Sequence, residues 1–127
     1  MVTMGAKVLV VEDDDSLRAA IARLLRVAGF ECTAYVSAEA LLADAAGEDV
    51  VCLVSDLKLP GMSGLELLPE LRTRGELAPF ILITAYDEPG LSEKAARCGA
   101  AGFLVKPFSG TELLNTIKAL TAPMGPS

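Results

Sequence analysis

Several polar residues that could handle phosphate and a metal ion directly follow short apolar runs of the sequence. Glu12 and Asp13 follow VLVV, Asp56 follows VCLVS, Thr84 follows ILI and Lys106 follows FLV. Three carboxylates brought together would repel one another, and a hard divalent cation such as Mg²⁺ would relieve that repulsion. An aspartate beside such a cation can accept a phosphoryl group, while a lysine and a hydroxyl bind the remaining phosphoryl oxygens. The pattern therefore indicates phosphoryl transfer to Asp56.

This chemistry requires the polar residues to meet at one edge of a sheet. Five apolar runs are predicted to form strands, at residues 7–11, 32–35, 50–54, 80–83 and 102–105. Most of them lack alternation of apolar and polar residues, which is typical of strands buried on both faces of a parallel sheet. Helical spacing of apolar residues fills the gaps. The sequence thus predicts an α/β fold with a doubly wound, five-stranded parallel sheet.

The order of the strands decides which side chains can meet. For small sheets of this kind the order 2-1-3-4-5 is common, and we expect it here by analogy. Ligands then bind beyond the carboxyl ends of the strands, near the switch point between strands one and three. Asp13 and Asp56 would end adjacent strands, with Thr84 one strand from Asp56. Lys106 would lie two strands away, at about 10 Å, a gap that its long side chain can span.

Cap and turn residues predict where the helices begin and end. Gly29 provides a stop for the first helix, and Ser37 can cap a second helix that extends to Ala45. Capping boxes begin at Ser63 and Ser109, each with a glutamate three residues later.

Two segments carry residues that disfavour helix. Pro69 falls inside the predicted third helix and should bend it or remove a hydrogen bond. The segment 87–98 is the poorest helix of the chain, because Pro89 and Gly90 are predicted to interrupt it.

The composition excludes several classes of function. The 127 residues suit one compact domain and include no histidine, so histidine triads, histidine metal sites and phosphohistidine cannot form within this chain. The net charge of −6 argues against binding of nucleic acid by this segment. No apolar run approaches the roughly 20 residues that span a membrane, and nothing at the N-terminus indicates secretion. Three cysteines without a Cys-x-x-Cys pair fit a reducing cytoplasm.

Four segments resemble the motifs of response regulator receiver domains: VLVVEDDDSLR, VSDLKLPGMSGLELL, ILITAY and GFLVKPF. The resemblance covers roughly residues 6–121, and SDLKLPGMSGLELL and SAEALL are most similar to the FixJ-type branch. It implies a role for each matching residue. These are Asp56 as phosphoacceptor, Glu12 and Asp13 as the metal-binding acidic pair, the backbone carbonyl of Lys58 as a further metal ligand, Thr84 as the switch hydroxyl, Phe103 as a rotating aromatic, and Lys106 as the phosphate-binding lysine, with a cis peptide bond between Lys106 and Pro107.

The resemblance also implies a biological setting. It predicts a receiver (flavodoxin-like) domain over residues 1–122 and a tail or the start of a linker at 123–127. Such a domain is a signalling switch rather than an enzyme: a sensor histidine kinase in the cytoplasm donates the phosphoryl group, with Mg²⁺ as cofactor. The change of conformation would control a C-terminal effector domain or a downstream protein. A phosphorylation-dependent homodimer is a further expectation, and no contact with a membrane is expected.

Three alternatives use some of the same residues. A phosphatase of the haloacid-dehalogenase type also uses an aspartyl phosphate, but its nucleophile lies on the first strand and a second aspartate follows two residues later. Here the acidic pair comes first, and Lys58 stands two residues after Asp56. A flavodoxin-like cofactor binder would need a phosphate loop after strand one that the sequence lacks. A degenerate receiver used only for docking would not need the complete set of residues.

Two bulky residues could control the lifetime of the phosphorylated state. In receiver-like geometry, the residues two positions after Asp56 and Thr84 flank the approach of water to the phosphorus. Here they are Lys58 and Tyr86, and neither is a carboxylate or an amide that could orient the water. A long-lived phosphorylated state is the prediction, unless both side chains simply point into solvent.

Overall fold

Strands and helices alternate through the whole of the computed structural model, which describes residues 6–44, 49–86 and 88–121. The strands are β1 (Lys7–Val11), β2 (Glu31–Tyr35), β3 (Val50–Asp56), β4 (Phe80–Thr84) and β5 (Gly102–Val105). The helices are α1 (Asp15–Val27), α2 (Ala38–Ala43), α3 (Gly64–Thr73), α4 (Leu91–Arg97) and α5 (Gly110–Thr121). None of the helices in these described ranges is long and apolar enough to cross a membrane.

The strands form one sheet in the order β2-β1-β3-β4-β5, and every pair is parallel. This confirms the predicted fold class and strand order. Since all strands run the same way, their carboxyl ends lie at one edge. The register aligns those ends closely: Val11 pairs with Ser55, and Asp56 pairs with Ile83.

Each face of the sheet is covered by its own set of helices. Helices α1 and α5 pack on one face, where Ile21 and Ile117 join the side chains of Val8 and Val10. Helices α2, α3 and α4 cover the other face, together with apolar side chains such as Leu9. Neighbouring strand residues therefore point to opposite cores, and both must be apolar. This explains why the runs lack apolar–polar alternation.

Local signals hold the helix ends where the sequence predicts them. Gly29 adopts φ +100° after α1, a left-handed conformation that a residue with a Cβ rarely takes. The Ser37 side chain caps α2 by accepting a hydrogen bond from the Ala40 N–H at 3.1 Å. Both predicted capping boxes are present, at Ser63 and at Ser109.

Tyr35 ties the end of β2 to the segment after α2. Its ring is buried, and its hydroxyl donates a hydrogen bond to Asp44 Oδ2 at 2.7 Å. Burial, together with this carboxylate, raises the pKa of Tyr35 to about 12. The hydroxyl consequently stays protonated at neutral pH and remains a donor.

The structure corrects one predicted helix boundary and agrees with the predicted strand ends. Strands β3 and β4 extend past their apolar runs to Asp56 and Thr84, the polar residues predicted to end them. Pro89 and Gly90 precede α4 instead of interrupting it. Pro69 lies inside α3, as predicted.

Parts of three predicted segments cannot be compared with the structure. Ala45, Asp87 and the tail 123–127 lie outside the described residues.

Candidate functional site

Three carboxylates converge at the carboxyl ends of β1 and β3. Glu12 and Asp13 follow β1 directly, and Asp56 is the last residue of the neighbouring β3. One ligand oxygen from each lies within 4.8 Å of the others. Glu12 is 1% exposed and Asp56 6%, whereas Asp13 is open to solvent. The site is therefore a recessed acidic pocket with one exposed carboxylate at its mouth.

Lys106 follows the edge strand β5, and its side chain reaches this acidic pocket. Its backbone N–H donates to the Thr84 carbonyl at 2.7 Å, which continues the β4–β5 ladder by one residue. The side chain then extends towards β1, placing Nζ 3.4 Å from Asp56 Oδ2 and 3.2 Å from Glu12 Oε1. The predicted span of two strands is thus bridged by a single lysine.

The pKa values of Asp56, Glu12 and Lys106 are all raised in this pocket. Burial raises the pKa of Asp56; Lys106 lowers it in part, and Asp13 raises it further. The pKa of Glu12 is also raised, again by burial first. For Lys106, burial lowers the pKa, but the Asp56 and Glu12 carboxylates outweigh this effect and the pKa is raised. One ammonium thus only partly compensates the charge of three carboxylates.

The donor set fits a hard divalent cation. Glu12 Oε1 is a buried oxygen without a hydrogen bond, since Lys106 Nζ is near enough for an ion pair but not in hydrogen-bond geometry. The other oxygen, Oε2, accepts a hydrogen bond from the Asp14 N–H at 3.1 Å. Converging carboxylates, one with an oxygen that accepts no hydrogen bond, are what Mg²⁺ and similar ions bind.

Thr84 is at the end of β4, beside Asp56, and is 1% exposed. Its hydroxyl donates to the Tyr86 carbonyl at 3.3 Å and accepts from the Tyr86 N–H at 3.0 Å. The hydroxyl is thus bonded to the loop after β4. To donate to a group on Asp56, this hydroxyl would have to give up its hydrogen bond to the Tyr86 carbonyl.

The side chains of Lys58 and Tyr86 contact each other. Lys58 Nζ lies 4.7 Å from the centroid of the Tyr86 ring, a cation–π distance. Both side chains are largely exposed. The two bulky residues predicted to flank the approach to Asp56 are thus in contact with each other, one from the loop after β3 and one from the loop after β4.

Phe103 is on β5, on the side of the sheet that carries α4. Its side chain is half-buried and lines a pocket of about 130 Å³ beside Ala95, Ala96 and Ala100. Small side chains around a large aromatic leave room for the ring to move. The predicted cis peptide bond between Lys106 and Pro107 is present.

Two supporting residues have no evident motif in the sequence. Arg18 of α1 donates to the Glu12 carbonyl at 2.9 Å and contacts Asp15 at 2.6 Å, which fixes the turn that carries the acidic pair. Glu39 of α2 accepts a hydrogen bond from the Met62 N–H at 2.8 Å. The only local signal for either is the i,i+3 spacing of Asp15 and Arg18.

Comparison with known proteins connects this geometry to a family. The model of the response regulator receiver domain matches residues 8–118. Response regulator protein FleR of Pseudomonas aeruginosa is 45% identical over 114 residues, which are 90% of this chain and 24% of FleR. Transcriptional regulatory protein FixJ of Azorhizobium caulinodans is 39% identical over 110 residues, 87% of this chain and 52% of FixJ. The chain therefore spans about half, or less, of the length of these relatives.

Solved structures agree with the sequence comparison. Chemotaxis response regulator CheY4 of Vibrio cholerae superimposes with a TM-score of 0.82 at 31% identity, covering 91% of this chain and 98% of CheY4. Response regulator TrrA of Thermotoga maritima, solved in complex with Mg²⁺-BeF, gives 0.78 at 30% identity, covering 90% and 97%. These matches do not favour the alternative of a haloacid-dehalogenase-type phosphatase. The chain belongs to the response regulator receiver domain family of two-component signalling.

Proposed function

We propose that Asp56 accepts a phosphoryl group from a sensor histidine kinase and that this modification switches the conformation of the domain. The observation that carries the proposal is the position of Asp56: it is buried between two further carboxylates, with Lys106 Nζ 3.4 Å from its oxygen. A partly compensated acidic pocket with a lysine against one carboxylate suits phosphoryl transfer to that carboxylate.

Each residue of the site has a separate role in the phosphoryl transfer. An Asp56 carboxylate oxygen attacks the phosphorus, and the bond from phosphorus to the kinase's histidine nitrogen breaks. That nitrogen keeps the electron pair and is then protonated from solvent. Lys106 binds a phosphoryl oxygen and offsets its charge, and the Thr84 hydroxyl donates to another once it leaves Tyr86.

Mg²⁺ is the proposed cofactor. Glu12, Asp13, Asp56 and the backbone carbonyl of Lys58 would hold it. When bound, it neutralises negative charge on the phosphoryl group. The acidic pocket and the Glu12 oxygen that accepts no hydrogen bond support this assignment, as does the structural neighbour TrrA, which was solved with Mg²⁺-BeF.

The output follows from a two-state equilibrium. Movement of the Thr84 hydroxyl towards the phosphoryl group would free space near β5 and bias Phe103 towards an inward position. The domain is in this view a signalling switch that catalyses only its own phosphorylation and dephosphorylation. The chain spans only part of its relatives, and we propose that an effector domain or a partner protein receives the signal. We further propose a phosphorylation-dependent homodimer and a location in the cytoplasm.

Labelling with acetyl phosphate tests the proposal. In the presence of Mg²⁺, the wild-type chain should gain a single phosphoryl group that is stable in acid and lost in base, as measured by intact mass. Asp56→Asn should gain none, and omission of Mg²⁺ should slow the labelling strongly. Asp13→Ala should abolish Mg²⁺ binding, with Glu12→Ala milder. Full labelling of Asp56→Asn would rule out the assignment.

A further inference from the structure

Backbone hydrogen bonds fix both ends of the loop between β3 and α3, the first of them to the neighbouring strand β4. At its start, the Leu57 N–H donates to the Ile83 carbonyl at 2.7 Å, and at its end the Gly64 N–H donates to the Leu57 carbonyl at 2.9 Å. A Cβ at Gly64 would collide with the Asp56 carbonyl oxygen. The first turn of α3 therefore lies directly against the backbone of Asp56.

The middle of this loop is held from another element by Glu39. Glu39 lies on α2, and its Oε2 accepts a hydrogen bond from the Met62 N–H at 2.8 Å. In the part of the chain that the structure describes, this is the hydrogen bond that joins loop residues 58–62 to a different element. Lys58 contacts Tyr86 only through its side chain, which leaves its backbone unrestrained by that contact.

Gly61 shows how closely the carboxylate approaches the loop. A Cβ on Gly61 would lie 2.5 Å from Glu39 Oε2, and Gly61 adopts φ +78°. The conformation favours glycine, and a side chain here would have to displace the Glu39 carboxylate. The hydrogen bond from Met62 also lowers the pKa of Glu39, so the exposed carboxylate is charged at neutral pH. Glu39 is thus the acceptor on α2, and Gly61 leaves room for its carboxylate beside the loop.

We infer that Glu39 is a positioning residue, which holds the loop after β3 so that the Lys58 backbone carbonyl faces the acidic pocket. This inference rests on the proposed function, in which that carbonyl binds Mg²⁺. A carbonyl can be aimed only through the path of its backbone, and Mg²⁺ accepts little departure from octahedral geometry. Loss of the Glu39 bond should therefore weaken Mg²⁺ binding although Glu39 does not touch the ion.

Mg²⁺ titration of three variants by calorimetry tests the inference. Glu39→Ala should weaken Mg²⁺ binding by about tenfold, the lower end of the loss seen when an indirect partner of a metal site is removed. Glu39→Gln keeps an acceptor oxygen and should retain most of the affinity. Glu31→Ala, which removes an exposed carboxylate at the opposite end of β2, should bind as the wild type does.

Urea unfolding without Mg²⁺ separates positioning from mere stabilisation. A contact that only stabilises the fold would lower the free energy of unfolding of Glu39→Ala and leave its Mg²⁺ affinity at the wild-type value, which would overturn the inference. Glu39→Gln as weak as Glu39→Ala would assign the effect to charge and would overturn it too. Failure of the wild-type chain to bind Mg²⁺ would instead overturn the proposed function, and the inference with it.

Discussion

The crowded carboxylates make the charge on Asp56 costly, and Asp56→Asn removes that charge without changing the size of the side chain. The ligand oxygens of Glu12, Asp13 and Asp56 lie within 4.8 Å of one another. With an effective dielectric constant of about 20, each pair at that distance repels by about 3.5 kcal/mol. Lys106 Nζ, at 3.4 Å, attracts Asp56 by about 5 kcal/mol on the same basis.

Two repulsions and one attraction leave a net cost of about 2 kcal/mol for ionised Asp56. Solvent around the exposed Asp13 reduces it. We therefore expect Asp56→Asn to raise the free energy of unfolding by about 1 kcal/mol in the absence of Mg²⁺, or the melting temperature by about 4 °C. The raised pKa of Asp56, caused first by burial, requires the same sign, because it means that the folded state disfavours the charge.

Urea unfolding in EDTA, followed by circular dichroism, measures this difference. Excess Mg²⁺ should narrow or reverse it, since an ion that binds more tightly to the folded wild type stabilises that protein more. Glu31→Gln is the matched control: it makes the same change from carboxylate to amide at the other end of the sheet and should not respond to Mg²⁺. An Asp56→Asn variant no more stable than the wild type in EDTA would refute the reasoning.

Three further predictions concern pH, lifetime and conformation. Without Mg²⁺, the stability advantage of Asp56→Asn should shrink as the pH falls from neutrality towards 3.8 and 4.5, the ordinary pKa values of Asp56 and Glu12, because raised pKa values let acid neutralise the folded wild type first; a constant difference in unfolding experiments would contradict this. Tyr86→Ala should speed loss of the phosphoryl group several-fold by admitting water, and Lys58→Asn should do so too; equal rates after removal of the donor would show that neither side chain gates the water. Beryllofluoride should alter hydrogen exchange in α4 and at Phe103; unchanged exchange at both would mean that the signal leaves by another face.

Local pattern is sufficient to place the polar strand ends of this fold. Each apolar run predicts a strand. In a parallel sheet, the residues that directly follow these runs lie at the same edge. Glu12, Asp13 and Asp56 meet there as predicted, with Lys106 against them. The roles assigned to these residues in phosphoryl transfer remain predictions.

Features that depend on distant partners have no such signal. Glu39 and Met62 are 23 positions apart, and neither residue type predicts a hydrogen bond to the other. The engagement of the Thr84 hydroxyl with Tyr86 depends on how the loop after β4 turns. The stretch before α4 shows a related limit: Pro89 and Gly90 weaken any helix, but only the structure shows that α4 begins after them, with Gly90 as its N-cap.

The different surroundings of the two tyrosines give the chain a built-in optical reporter. There is no tryptophan, so intrinsic emission comes from Tyr35 and Tyr86 alone. The hydroxyl of Tyr35 is bonded to a carboxylate, which quenches phenol fluorescence, and its ring is buried. Tyr86 is about half exposed beneath the Lys58 ammonium. We therefore expect changes in ultraviolet emission to come mainly from Tyr86, in the loop after β4, so that binding or phosphorylation could be followed in the unmodified protein without an attached dye.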